Sequence, residues 1–173
     1  MRLLVLLALL GAHASLAQPA GDTARVSTEP VRLSGPRIGI TYLSSDIVDR
    51  INDDFVDEDD RVGSLITQFG WQFETRLFST DTGLSGVTEF VPLLGGLEQG
   101  LLLPSFSFLV GLRTRSGFEF GFGPNASLGG VAYALAVGAT TSYGGLNFPA
   151  NVSAVVSDDG VRLSLLVGFN LAR

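Results

Sequence analysis

The stretch from residue 65 to residue 78, LITQFGWQFETRLF, decides the fold of this chain. Its apolar and aromatic residues fall on alternate positions, with glutamine, glycine, glutamate and arginine between them. Because successive side chains of a β-strand point to opposite faces, this alternation predicts a long strand with one apolar and one polar face. The stretch is longer than the usual strand of about 5–6 residues. It also exceeds the roughly 9–11 residues with which a tilted strand crosses a bilayer.

The N-terminus, MRLLVLLALLGAHASLAQPA, has the layout of a secretory signal peptide: one arginine, an apolar run and small residues before a cleavage site. We expect cleavage after Ala17, so that residues 1–17 are the signal peptide. Residues 18–36 are rich in proline, glycine, serine and threonine without periodicity, which predicts a flexible N-terminal segment. Residues 37–173 are predicted to form one β-barrel domain of an exported protein.

The composition excludes several kinds of site. The chain has 11 basic and 17 acidic residues, a net charge of −6, and no cysteine. Its one histidine, His13, lies in the predicted signal peptide, so the exported chain lacks the usual zinc and copper ligands. Without disulfides, stability must come from burial and backbone pairing. An acidic chain without basic clusters is also a poor partner for nucleic acid, because that binding depends on neutralising phosphates. No cofactor is predicted.

Alternation recurs along the rest of the chain and predicts an all-β fold, an antiparallel up-and-down β-barrel of about eight strands. Tight hairpins join most strands, as at the Asp-Gly turn ending at residue 160. A narrow apolar stripe surrounded by acids predicts a short acidic helix or loop at about 46–57, between strands one and two. No helix is predicted after Leu65. The predicted strands are about 37–43, 65–78, 84–95, 99–113, 117–124, 129–142, 146–156 and 161–171.

Alternation alone does not say which face lines the barrel. Only 12 of the 110 residues from 64 to 173 are charged, too few to cover the outside of a soluble barrel when about 25% is typical. We therefore expect the apolar face to point outward to lipid and the interior to be filled by side chains. The alternative is a soluble periplasmic or secreted barrel that binds a hydrophobic ligand against an inward, phenylalanine-rich face. The polar residues expected in the barrel interior are Gln68, Gln72, Glu74, Arg76, Arg113, Glu119, Asn147, Asn151 and Arg162.

The eight alternating segments resemble, at the level of pattern, the small eight-stranded outer-membrane proteins of Gram-negative bacteria. The motif order QFGWQFE, GGLEQG, GLR, FGFGPN, NFPAN and LLVGFN is also similar to a group of exported barrel-like proteins with no assigned activity. The resemblance covers residues 37–173. It implies a location in the outer membrane, with membrane lipid and the barrel-insertion machinery as partners.

No catalytic arrangement stands out. Barrel enzymes of outer membranes resemble one another in using histidine as a base, and the exported chain has none. A Ser-His-acid hydrolase is therefore excluded, and the protein is predicted not to be an enzyme. Glu74 with Glu119 is a carboxylate pair for which packing inside the barrel is the favoured interpretation.

The acidic run DDFVDEDD at residues 53–60 favours a solvated loop. A weaker alternative is a calcium site, with divalent cations as partners of Asp53, Asp54, Asp57 and Asp59. The predicted function is that of a non-enzymatic outer-membrane β-barrel with an envelope-structural, adhesion or lipid-contact role.

Overall fold

The computed structural model describes residues 32–55 and 61–171, which form a closed antiparallel barrel with one α-helix, α1 (Ser45–Phe55). The predicted signal peptide and most of the predicted flexible segment lie outside the described residues. The strands are β1 (Arg32–Leu43), β2 (Leu65–Ser79), β3 (Ser85–Gly95), β4 (Leu103–Arg113), β5 (Phe118–Ser127), β6 (Gly130–Tyr143), β7 (Leu146–Ser157), β8 (Gly160–Gly168) and β9 (Asn170–Leu171).

Each of the eight long strands pairs with its neighbours along the chain, and β1 pairs with β8 to close the sheet. The closing ladder sets Ile40 against Leu165 and Thr41 against Ser164. This confirms the predicted up-and-down barrel of eight strands, with a short helix between strands one and two.

The two ends of the barrel differ in how the strands are joined. Tight turns connect β2 to β3, β4 to β5 and β6 to β7 at one end, here called the turn end. At the other end, here called the loop end, residues 44–64 connect β1 to β2 and residues 96–102 connect β3 to β4. The first and last described strand residues, Arg32 and Leu171, lie at the turn end.

Five prolines lie inside strands without breaking the barrel. Each lies where its strand pairs on one side only, so the missing N–H removes no ladder bond. Pro36, for example, pairs with β2 beyond the point where β8 ends. The structure also shows that the predicted start of the first strand, at residue 37, is wrong, because residues 32–36 belong to β1. The five prolines are Pro36, Pro92, Pro104, Pro124 and Pro149.

Two further strand predictions are corrected. Leu97–Gln99 form a 3₁₀ helix, so β4 begins at Leu103 and the expectation of no helix after Leu65 is wrong for this one turn. Gly96 and Gly100 flank the 3₁₀ helix with φ of 80° and 73°, conformations that glycine adopts without strain. The last long strand ends at Gly168, and β9 then pairs with β7.

Large apolar side chains cover the outer wall of the barrel. Val137 and Phe120, for example, are 54% and 49% exposed. The phenylalanines of β4 and β5 face outward and do not line an interior cavity, contrary to what the soluble-barrel alternative requires. Four rings form a band across three strands, with neighbouring centroids 6.2 to 6.5 Å apart: Trp71, Phe73, Phe90 and Phe106.

The helix α1 packs its apolar stripe against the loop end. The predicted helix is observed slightly displaced, and its last two predicted residues, 56 and 57, lie outside the described part of the chain. No helix in the described ranges is long and apolar enough to cross a membrane. The cluster under α1 consists of Leu43, Ile51, Val62 and Ile66, joined by Ile47, Val48, Leu101 and Leu103.

Two glycines of β5 differ in how closely atoms of the neighbouring strand approach them, and this difference can be tested. A Cβ at Gly123 would lie 2.0 Å from the Phe108 carbonyl oxygen, whereas a Cβ at Gly121 would meet its nearest atom at 3.5 Å. We expect Gly123→Ala to lower the free energy of unfolding by about 1–3 kcal/mol, because the backbones must separate. Gly121→Ala is the matched control and should change it by less than about 0.5 kcal/mol.

Urea unfolding followed through the single tryptophan, Trp71, measures both variants. Equal losses in the two variants would contradict this account of β5 packing.

Candidate functional site

A charged network occupies the half of the interior next to the turn end, here called the turn half. Arg113 of β4 forms ion pairs with Glu74 of β2 and Glu119 of β5. Its two terminal nitrogens donate to the two oxygens of Glu74, and its Nε donates to Glu119 Oε2 at 2.9 Å. The Glu74 and Glu119 side chains are only 2% and 5% exposed. One planar guanidinium therefore compensates two carboxylates whose burial is otherwise costly.

Asn151 extends this network to β7, and Arg37 of β1 forms a separate hydrogen bond on the same inner face of β2. Arg37 Nε donates to Gln72 Oε1 at 2.9 Å, and Asn151 Nδ2 donates to Glu119 Oε1. The network needs a glycine beside it, because a Cβ at Gly138 would lie 2.4 Å from Asn151 Nδ2. The small residues that alternate with apolar ones along β6 thus leave space for long polar side chains.

Glu89 of β3 adds a third buried carboxylate. It is 7% exposed, and one of its oxygens lies within 4.8 Å of oxygens of Glu74 and Glu119. No hydrogen bond reaches its side chain within residues 32–55 and 61–171. Carboxylate oxygens are the ligands that Ca²⁺ and Mg²⁺ prefer, but the Arg113 guanidinium already bridges two of the three groups. The geometry therefore favours a carboxylate cluster bridged by arginine over a metal centre.

Uncharged hydrogen bonds organise the other half of the interior, here called the loop half. Thr41 Oγ1 donates to Gln68 Oε1 at 2.6 Å and lies 2.7 Å from Ser164 Oγ. Asn125, only 1% exposed, donates from Nδ2 to Ser105 Oγ at 2.8 Å. These shorter side chains leave more open space than the network of the turn half.

A cavity of about 330 Å³ lies between α1 and the loop half of the interior. Arg162 of β8 lines it and donates through a terminal nitrogen to Asn125 Oδ1 at 2.7 Å. No carboxylate of the described chain lies within ion-pair distance of Arg162, in contrast to Arg113. The apolar side chains lining the cavity are Leu43, Ile47, Ile51, Ile66, Leu103, Leu128 and Ala132.

Two sets of contacts hold the covering of this cavity in place. On one side, Arg50 of α1 pairs with Asp159 in the connection between β7 and β8. On the other side, Gln99 of the 3₁₀ helix accepts a hydrogen bond from the Gly63 N–H and donates to the Leu65 carbonyl oxygen, both at 2.7 Å. The loop end is therefore tied to β2, β7 and β8 as well as packed on its apolar cluster.

Glu98, beside Gln99, accepts hydrogen bonds from the Thr67 N–H at 2.7 Å and from the Thr67 hydroxyl. Slight burial raises the pKa of the Glu98 carboxyl, but these hydrogen bonds lower the pKa by more than burial raises it. The pKa of Glu98 therefore lies below its ordinary value.

The structure places all nine polar residues predicted for the interior within the described strands. Asn147 is half-buried near the turn end and accepts a hydrogen bond from Ser142 Oγ at 2.6 Å. Three arginines are half-buried, Arg76, Arg113 and Arg162, and the Arg76 Nε has no partner within the described ranges. The other five are buried: Gln68, Gln72, Glu74, Glu119 and Asn151.

The predicted calcium residues are only partly described. Asp53 and Asp54 are exposed at the end of α1, and Asp57 and Asp59 lie outside the described residues. The calcium site therefore stays a prediction.

The buried polar residues of the interior that were missed from sequence include Arg37, Glu89 and Asn125. Arg37 shares its alternation phase with Thr41, opposite the apolar face of β1, and that phase was the available signal. Asn125 lies in phase with Gly121 and Gly123 on the inner face of β5, which was the corresponding signal.

No protein-family model and no curated protein sequence matches this chain. Among solved structures, it is similar to Ail, the attachment invasion locus protein of Yersinia pestis, solved in complex with the heparin analogue sucrose octasulfate. The TM-score is 0.43 and the sequence identity 12%, over 81% of this chain and 97% of that chain.

Removing the bridging guanidinium tests the charged network. We expect Arg113→Gln to lower the free energy of unfolding by about 3–5 kcal/mol, because it leaves Glu74 and Glu119 buried without their cation. Arg115→Gln, in the exposed turn two residues away, is the matched control and should change it by less than about 0.5 kcal/mol. Urea titration of both variants measures the difference. An Arg113→Gln variant as stable as the parent would contradict an ionic network.

The lowered pKa of Glu98 predicts a pH dependence at the loop end. A carboxylate with a depressed pKa stabilises the fold above the ordinary glutamate pKa of about 4.3 and loses that contribution as pH falls through the lowered pKa. We therefore expect exchange protection of the Thr67 amide, corrected for intrinsic rates, to fall between about pH 5 and pH 3. In Glu98→Gln the protection should be independent of pH over this range, and an unchanged dependence would rule out Glu98 as its origin.

Proposed function

We propose that this chain is a non-enzymatic integral protein of the outer membrane, with an envelope-structural, adhesion or lipid-contact role. The observation that carries this proposal is the apolar outer wall of a closed barrel. A soluble protein rarely exposes contiguous apolar patches beyond a few hundred Å², and here outward Phe, Leu, Ile and Val side chains occur on every long strand of the described chain. Lipid is the environment in which such a wall is stable.

The proposal includes an orientation in the membrane. Outer-membrane barrels have short periplasmic turns and longer external loops. The turn end therefore faces the periplasm, and the loop end with α1 faces outward. Asp53 and Asp54 of α1 would then lie near lipid headgroups, where divalent cations bridge carboxylates to phosphates.

The interior supports a filled barrel rather than an open solute channel. An eight-stranded barrel is only wide enough for its own side chains, and the network around Arg113 joins β2, β4, β5 and β7 across the turn half. Arginine and asparagine engage Glu74 and Glu119, so these two carboxylates of the network are not free to act as a base. These points support the non-enzymatic part of the proposal.

Heat modifiability tests the membrane location. The full chain with its N-terminal segment is expressed in a Gram-negative host, and outer membranes are washed with urea and run on SDS gels with and without boiling. We expect protein that stays in the membrane fraction and changes mobility only after boiling. Recovery as a soluble periplasmic protein without a mobility shift would overturn the proposal.

Two substitutions on β6 test how the cost of a charged side chain on the outer wall depends on its depth in a bilayer. Val137 lies at the middle of the strand and Tyr143 at its end, and both face outward. We expect Val137→Arg to destabilise the barrel in phospholipid vesicles by about 2–4 kcal/mol and Tyr143→Arg by about 0–1 kcal/mol. Urea unfolding from vesicles measures both, and equal effects would contradict a membrane-spanning wall.

A further inference from the structure

We infer that the cavity under α1 is a binding site for a small amphipathic anion, an acidic headgroup on a short apolar chain such as a medium-chain fatty acid. This goes beyond the proposed function. It depends on the residues that line the cavity and is independent of whether the barrel lies in a membrane.

Arg162 is the anchor for the headgroup. It projects from β8 into the cavity, and its only described hydrogen bond is the one from a terminal nitrogen to Asn125 Oδ1. A half-buried guanidinium has five donors in a fixed fork that suits two oxygens of an acid. Arg113 shows this arrangement with Glu74 in the turn half. At Arg162 the described chain supplies no such acid, so an anionic ligand would complete the same kind of pair.

Two further side chains of the cavity wall offer neutral donors. Gln68 lines the cavity, and its Oε1 is engaged by the Thr41 hydroxyl, so its amide N–H groups are left to donate. Ser105 also lines it and accepts from Asn125, so its hydroxyl hydrogen is left to donate. A pocket whose wall offers several donors favours an acceptor-rich headgroup.

The apolar part of the cavity wall suits an apolar chain. Leu43 and Ile66, each 2% exposed, belong to the cluster under α1, and Ala132 adds a small apolar surface. The volume of about 330 Å³ is at the lower end of the roughly 300–1,000 Å³ range of ligand pockets. The mouth of a β-barrel is also a common place for such pockets. The site therefore fits a short chain rather than a whole lipid.

Two acids also line the cavity. Asp159 pairs with Arg50, and Asp54 is exposed on the last turns of α1. Among the charged lining residues, Arg162 is therefore the half-buried one that has no ion-pair partner within the described residues. A cationic amphiphile would meet the positive charge of Arg162 at the site of its headgroup.

Isoleucine methyl NMR tests the site, because the chain has only five isoleucines. Ile47, Ile51 and Ile66 line the cavity, whereas Ile38 and Ile40 face outward from β1. Isoleucine-labelled protein is studied in phospholipid nanodiscs, or in buffer if the protein is soluble, and titrated with octanoate, octan-1-ol and octylammonium. Octanoate should shift the three cavity methyls and leave the two outer ones unchanged.

Substitution of the anchor tests the headgroup contact. Arg162→Gln should weaken octanoate binding by about tenfold or more, because it removes a charge-assisted contact. Arg115→Gln in an exposed turn is the matched control and should bind as the parent does. Unshifted Ile38 and Ile40 resonances in the absence of ligand show that Arg162→Gln is folded, and Arg162→Lys, which keeps the charge, should retain part of the affinity.

Several results would overturn the inference. These are shifts of the outer methyls equal to those of the cavity methyls, no shift of the cavity methyls, octylammonium binding as tightly as octanoate, or a folded Arg162→Gln that binds like the parent. The heat-modifiability result does not enter this test, so failure of the membrane proposal and failure of the ligand site are distinguishable.

Discussion

Closure of the eight-stranded sheet is the constraint on which the rest of the structure depends. Once β1 pairs with β8, the long strands have no open edge, and the enclosed space holds only side chains. Most large residues therefore point outward, and the inner face carries glycine, alanine, serine, a few long polar residues and a smaller number of aliphatic ones such as Val87 and Leu109. Gly168 illustrates the limit, because a Cβ there would lie 2.6 Å from an Arg37 terminal nitrogen.

The size of the inward side chains divides the interior into two halves with different properties. Long residues such as Arg37, Gln72 and Arg113 fill the turn half, where Arg37 bonds Gln72 and Arg113 bonds Glu74. Short residues such as Ala132 and Ser105 line the loop half and leave the cavity beneath α1. One barrel thus combines a packed ionic interior with an open pocket, and no change of fold is needed between them.

Alternation in the sequence was enough to predict most strands and the faces of β2 and β5, because a period of two is a local property. It failed where the local pattern was ambiguous. Glu89 was missed because Val87 and Val91 share the inner face of β3 with it, so that polarity there does not separate the faces. The stripe of α1 was predicted, but the cavity was not, because its walls come from α1 and from every long strand except β3, which only the tertiary fold brings together.

The connection between β1 and β8 has a consequence for how the barrel forms. Seven of the eight strand pairings join neighbours along the chain, while the hydrogen bond between Thr41 and Ser164 spans 123 residues. Closing such a distant contact is the slow, entropically costly step of assembly. The chain leaving β1 forms α1, and Ser44 exchanges two hydrogen bonds with Val161 at the start of β8 while Arg50 reaches Asp159. The segment that covers the cavity therefore also stabilises the pairing of β1 with β8 that closes the barrel.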